Sequence, residues 1–133
     1  MNSLQQLESL GQSIWYDNIS RTVLSSGELQ QMVTHGLLGV TSNPTIFEKA
    51  IAGSNAYDAQ IRSLVRATPS LTTGALLQAL MVEDIRTAAD VLMPVYQRTA
   101  KRDGYVSIEV TPARARDTAA TIQEAQELWD RVG

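Results

Sequence analysis

The sequence predicts an α/β fold with a parallel sheet, built as the first three βα units of a (β/α)8 barrel behind a short N-terminal helix. Three observations lead there. Short apolar, β-branched runs alternate with longer amphipathic segments along the 133 residues, and strands separated by helices pair in parallel. Each run carries a polar residue near its C-terminal end, where parallel βα folds build their sites. The last helical segment runs into Gly133, the residue type that closes a helix before a next strand. An eight-stranded barrel takes roughly 200 residues or more. Three strands form either a small open sheet or the front part of a longer barrel, and the ending fits the second better. One domain is expected, residues 1–133, as a partial barrel.

Each element has a local reason. Leu4, Leu7 and Leu10 recur at helical spacing and Gly11 ends that helix. Ser13 to Asp17 (SIWYD) reads as a short strand. Ser25-Ser26-Gly27-Glu28 opens a helix that runs to about His35, and Gly36 closes it. Leu37 to Ser42 is an apolar run of strand length, as in a parallel strand covered on both faces. Asn43 then caps a helix with Pro44 at its first position. Helices are expected over Thr45–Ala52, Ala56–Val65 and about Thr72–Ala100. In the last, Leu77, Met81, Ile85, Ala88, Leu92 and Val95 form one apolar stripe. Arg102-Asp103-Gly104 is turn chemistry, and Tyr105 to Thr111 (YVSIEVT) is the clearest strand. Asp117 caps a final helix whose apolar residues are Ala119, Ile122, Ala125, Trp129 and Val132.

Composition narrows the function classes. A net charge of −3 offers no basic surface for nucleic acid or an anionic membrane. There is no cysteine, which removes disulfides, thiol nucleophiles and thiolate metal sites; with His35 as the single histidine, His-rich metal sites are excluded too. No metal site and no cofactor are expected. Met1 to Leu10 is polar and mildly acidic, unlike a secretory signal, and no apolar run reaches membrane-spanning length, so a cytoplasmic protein is expected.

Strand alternation supplies the functional signal. Val106, Ile108 and Val110 share a face that would pack on helices, leaving Ser107, Glu109 and Thr111 on the other. Gly39, Thr41 and Asn43 align in the second strand, and Ser13, Trp15 and Asp17 in the first. Asp17, Asn43 and Glu109 therefore sit near the C-terminal ends of their strands. Two carboxylates and a carboxamide at one pocket suit proton transfer on a polarised substrate oxygen. Each has a plain structural role beside this one: Asp17 starting a turn, Asn43 capping a helix, Glu109 pairing with a neighbour. Lys101, Arg102 and His35 read as solvated helix ends, Trp15 and Trp129 as packing residues. The charges of Ile61–Arg66 and Glu83–Arg86 read as wet helix faces.

Three segments carry a family resemblance. LGQSIWYDNISR (Leu10–Arg21), GVTSNPTIFEKAIAGSNAYD (Gly39–Asp58) and YVSIEVTP (Tyr105–Pro112) resemble transaldolase segments in the family's order, in its longer microbial branch. The resemblance implies a TIM barrel of the class I aldolase type. Such enzymes move a dihydroxyacetone unit between sugar phosphates in the pentose phosphate pathway, from fructose 6-phosphate or sedoheptulose 7-phosphate to an aldose phosphate, through a lysine Schiff base. It implies that Asp17 shuttles a proton on the substrate hydroxyl and that Asn43 hydrogen-bonds the dihydroxyacetone unit, with Thr41 a weaker binding candidate beside it. Glu109 would assist carbinolamine formation and hydrolysis through a water. The family's lysine lies on the fourth strand, beyond this chain. Lys49 and Lys101 fall outside that motif, so the chain is expected to be inactive alone.

Two function classes follow. One is the front portion of a transaldolase; the other is a non-catalytic vestigial or assembly domain that pairs with another barrel fragment. The third strand keeps Glu109 and its apolar residues, which favours the first. An independent enzyme using Lys49 ranks third. The partners expected are sugar-phosphate substrates and, through the open sheet edge, a second copy of the chain.

Overall fold

A computed structural model describes residues 1–133. Helix α1 (Ser3–Ser9) is closed by a capping box in which Asn2 accepts from the Gln5 amide and the Gln5 side chain accepts from the Asn2 amide. It lies at the N-terminal end of the sheet, held by Asn2 Nδ2 donating to the His35 carbonyl (2.7 Å) and by a Glu8–Arg98 ion pair (2.7 Å). Strand β1 (Trp15–Tyr16) leads through helix α2 (Arg21–Ser25) and helix α3 (Glu28–Thr34) to strand β2 (Gly39–Val40). Helices α4 (Pro44–Ala52), α5 (Asp58–Ala67) and α6 (Thr73–Arg98) precede strand β3 (Tyr105–Val106). A 3-10 turn (Pro112–Arg114) and helix α7 (Thr118–Val132) complete the order.

The three strands pair in parallel in the order β1-β2-β3, with Trp15 abreast of Gly39 and Gly39 abreast of Tyr105. This is the parallel α/β sheet expected of the front of a barrel; the three strands form a wall, not a closed barrel. The regular strands are shorter than Ser13–Asp17, Leu37–Ser42 and Tyr105–Thr111. Their ladder still extends beyond the regular pairs, through Leu38 N to Ile14 O, Thr41 N to Tyr16 O and Ser107 N to Val40 O. Regular pairing stops where Asn43 and Pro44 turn the second strand into α4. The helix expected from Ser25 to about His35 is two helices, because Gly27 adopts φ +78 between α2 and α3.

Alternation divides the sheet as expected. Tyr16, Val40, Val106 and Ile108 pack into the core with Ile19, Leu29, Leu38 and Phe47. Across them lies α6, whose Leu77, Met81, Ile85, Ala88, Leu92 and Val95 all join that core. Pro94, which has no N–H for the Asp90 carbonyl, lies on the exposed side of α6. On the other face the Trp15 ring lies over Gly39, where an added Cβ would come within 2.3 Å of it. The Trp15 indole N–H donates to Ser13 Oγ (2.8 Å). Gly104, at φ +89, lets β3 start against the Tyr96 backbone, 2.3 Å from where a Cβ would stand.

Two expectations about helices are corrected. Trp129, read as a packing residue, is 81 % exposed and faces outward with Ile122 and Ala125; of the apolar residues named for α7, Val132 packs against the core, and the helix buries Leu128 and Glu124. The Glu83–Arg86 segment is not uniformly wet, because Asp84 is only 2 % exposed. No helix is long and apolar enough to cross a membrane.

Candidate active site

The wall's C-terminal end carries the polar residues singled out by alternation. Asp17 follows β1 and Thr41 follows β2, and the parallel register sets them side by side. Thr41 Oγ1 donates to Asp17 Oδ1 at 2.6 Å. A carboxylate receiving a short hydroxyl bond is fixed in orientation while its other oxygen stays free for a substrate proton. Asn43 Oδ1 accepts from the Ile46 amide (2.9 Å) as the cap of α4, with Pro44 at the first helical position. The structural role expected for Asn43 is thus real, and it occupies only the carbonyl oxygen of the amide. Glu109 is exposed beyond Ser107 and shares no hydrogen bond with Asp17, Thr41 or Asn43. A wall of three strands presents such groups from one side without enclosing them.

The ends of β2 and β3 are stitched together by serines that sequence reasoning did not single out. The buried Ser42 hydroxyl donates to the Ser107 carbonyl (2.7 Å), and the Ser42 amide donates to Ser107 Oγ (3.1 Å). The residues that follow Glu109 are held by Glu124 of α7, which is 9 % exposed. Its Oε1 accepts from the Thr111 amide and from Gln78 Nε2, both at 3.0 Å, and from the Thr111 hydroxyl. Its Oε2 is buried without a hydrogen bond, 3.8 Å from Arg114 Nε. Glu124 stands four residues before Leu128, a spacing that marks it as core-facing.

A second polar cluster lies under the β1–α2 turn. Arg21 Nε donates to Asp84 Oδ1 (2.9 Å), and its Nη2 approaches the same oxygen to 2.8 Å without the alignment of a hydrogen bond. Tyr57 Oη donates to Asp84 Oδ2 (2.7 Å) and accepts from the Arg21 amide (2.9 Å). The Arg21 guanidinium stacks on the Tyr57 ring at 4.4 Å. Burial pushes the Asp84 carboxyl above its usual 3.8, opposed by the bonds from Tyr57 and Arg21. Burial also raises the Tyr57 phenol, which stays protonated and donating. The signal for Asp84 was present: it falls three residues after Met81 and four before Ala88, on the apolar stripe of α6.

No group of three or more His, Asp or Glu side chains gathers closely enough to hold a metal ion. Residues 14–133 match the model of the transaldolase/fructose-6-phosphate aldolase family. The chain belongs to that family. It is similar to a transaldolase of Trichodesmium erythraeum, 49 % identical over 133 residues that make up 99 % of this chain and 34 % of that protein. It is similar to transaldolase 2 of Nostoc sp. (strain PCC 7120), 50 % identical over 134 residues, covering 100 % of this chain and 35 % of that protein. A transaldolase of Thermobifida fusca is 48 % identical over 127 residues, 95 % of this chain and 34 % of that protein. The chain spans about a third of the length of the curated relatives it matches. The resemblance noted in the sequence is therefore that of a true family member.

Proposed function

We propose that this chain supplies the first wall and the acid–base residues of a transaldolase, as the N-terminal part of a TIM barrel whose remaining strands carry the nucleophile. The observation that carries this reading is the Thr41–Asp17 bond at the C-terminal ends of neighbouring parallel strands, in a chain of this family. The complete enzyme would move a dihydroxyacetone unit from sedoheptulose 7-phosphate to glyceraldehyde 3-phosphate, giving erythrose 4-phosphate and fructose 6-phosphate. A lysine amine adds to the ketose carbonyl, and Glu109, through a water, moves protons as the carbinolamine loses water to the Schiff base. Asp17 then takes the proton of the neighbouring hydroxyl while the carbon–carbon bond breaks and its electron pair flows into the protonated imine. The amide of Asn43, beside Thr41, would hold the dihydroxyacetone unit.

Lys49 and Lys101 are both exposed, and Lys101 lies in the turn before β3, at the opposite end of the sheet. Neither has the apolar surroundings that activate a nucleophilic lysine. We therefore read the chain alone as inactive, working in the cytoplasm within a longer protein and without a cofactor. A second reading, a non-catalytic assembly domain that completes a barrel with another chain, draws on the outward stripe of Ile122 and Trp129.

The test is a chimera in which this chain replaces the 134 matched residues of the Nostoc sp. relative. Borohydride trapping with fructose 6-phosphate, read by intact mass, should label the chimera and leave the 133-residue chain unlabelled. An adduct on the isolated chain would place the nucleophile at Lys49 or Lys101. Asp17→Asn and Glu109→Gln in the chimera should each lower transfer by about a hundredfold. Normal turnover in both variants would refute the site.

A further inference from the structure

We propose that Arg21, Tyr57 and Asp84 form a positioning unit for Asp17, holding the β1–α2 turn in the geometry in which its carboxylate can accept the substrate proton. This rests on the proposed role of Asp17. Only Asn18, Ile19 and Ser20 separate Asp17 from Arg21. That short connection is gripped along its length. Thr41 holds the Asp17 carboxylate, Ile19 is buried in the core, and Ser20 caps α2 by accepting from the Val23 amide. Arg21 is held by both its main chain and its side chain, since Tyr57 Oη accepts from its amide N–H and Asp84 accepts from its guanidinium.

The same cluster reaches the second strand's crossover. Tyr57 closes the segment that begins at Asn43 and runs through α4, so one buried phenol joins the turn bearing Asp17 to the helix that Asn43 caps. Asp84 anchors both to the middle of α6, the longest helix and the one that lines the core.

Stability alone explains this arrangement poorly. A buried ion pair costs desolvation that well-packed apolar side chains would not, and apolar replacement is often neutral or stabilising. What the polar cluster supplies is direction: each hydrogen bond fixes one atom against another, which apolar packing does not. A misplacement of about 1 Å at a reacting group can cost two orders of magnitude in rate.

The experiment compares two steps in the same chimera. Schiff-base formation is read by borohydride trapping with fructose 6-phosphate, and cleavage by single-turnover release of glyceraldehyde 3-phosphate. Tyr57→Phe removes one hydroxyl from the cluster. It should slow cleavage by about tenfold while trapping stays within about twofold of the parent. A change in neither step, or an equal fall in both that follows the folded fraction by circular dichroism, would overturn the positioning role. If Tyr57→Phe does not fold, Asp84→Asn is read by the same ratio of the two steps: slowed cleavage with normal trapping supports the role, and no change or an equal fall overturns it. Asp17→Asn is the reference. Normal cleavage in Asp17→Asn removes the site reading and this inference with it. Normal cleavage in Tyr57→Phe beside slow cleavage in Asp17→Asn removes the inference alone.

Discussion

Asn43 caps a helix with one atom of its side chain and leaves another for the substrate contact proposed above. Its Oδ1 closes the first turn of α4, and its Nδ2 donor is not used in that cap. Aspartate caps a helix about as well as asparagine but has no amide to donate. In the chimera, Asn43→Asp should leave the urea midpoint nearly unchanged and lower transfer by about tenfold or more. Asn43→Ala should do both, losing about 1 kcal/mol of stability with the cap. Equal transfer by Asn43→Asp and the parent would confine Asn43 to its structural role. The placement of Asn43, Asp17 and Thr41 past the strand ends, and the cap made by Asn43, were legible from alternation and capping chemistry, which depend on neighbours within a few residues. Asp84 was not singled out although its helical spacing placed it in the stripe, because its partners Arg21 and Tyr57 lie 63 and 27 residues away. A buried carboxylate is explained only by the groups that surround it.

The helices show the same division. The stripe of α6 was readable because six apolar residues at three- and four-residue spacing admit one buried face. Leu92, a fully buried member of that stripe, is the strongest test of that packing. Leu92→Ala should cost about 3 kcal/mol in urea denaturation, through lost burial and the cavity left behind. A cost of a few tenths would mean that α6 packs differently. In α7 the apolar residues Ile122, Ala125 and Trp129 offered an equally regular face, and the helix buries Leu128 and Glu124 instead. Glu124 binds the Thr111 amide and hydroxyl as well as Gln78, and it faces inward with Leu128 and Val132. Hydrophobic periodicity identifies a helix's apolar face, whereas the rotation adopted depends on polar partners from other elements.

For the whole molecule, β1 and β3 are both edges of a three-stranded parallel sheet, and α7 turns an apolar stripe outward. Unpaired strand edges and exposed aromatic surface favour association. The 133-residue chain should show a sedimentation coefficient that rises with concentration, while the chimera, whose remaining residues are proposed to cover these surfaces, should not. A chain that remains monomeric throughout would show that the edges are blunted. Family, alternation of strands and helices, parallel pairing and the polar ends of the strands were all determined by the sequence itself. They follow from local propensity and from motifs contiguous in the chain. Only the tertiary structure decided that the regular ladder is two residues long in each strand, that α7 rotates toward Glu124, and that Arg21, Tyr57 and Asp84 meet at the start of α2. Those outcomes come from contacts between residues distant in sequence, where burial and hydrogen-bond satisfaction outweigh local preference.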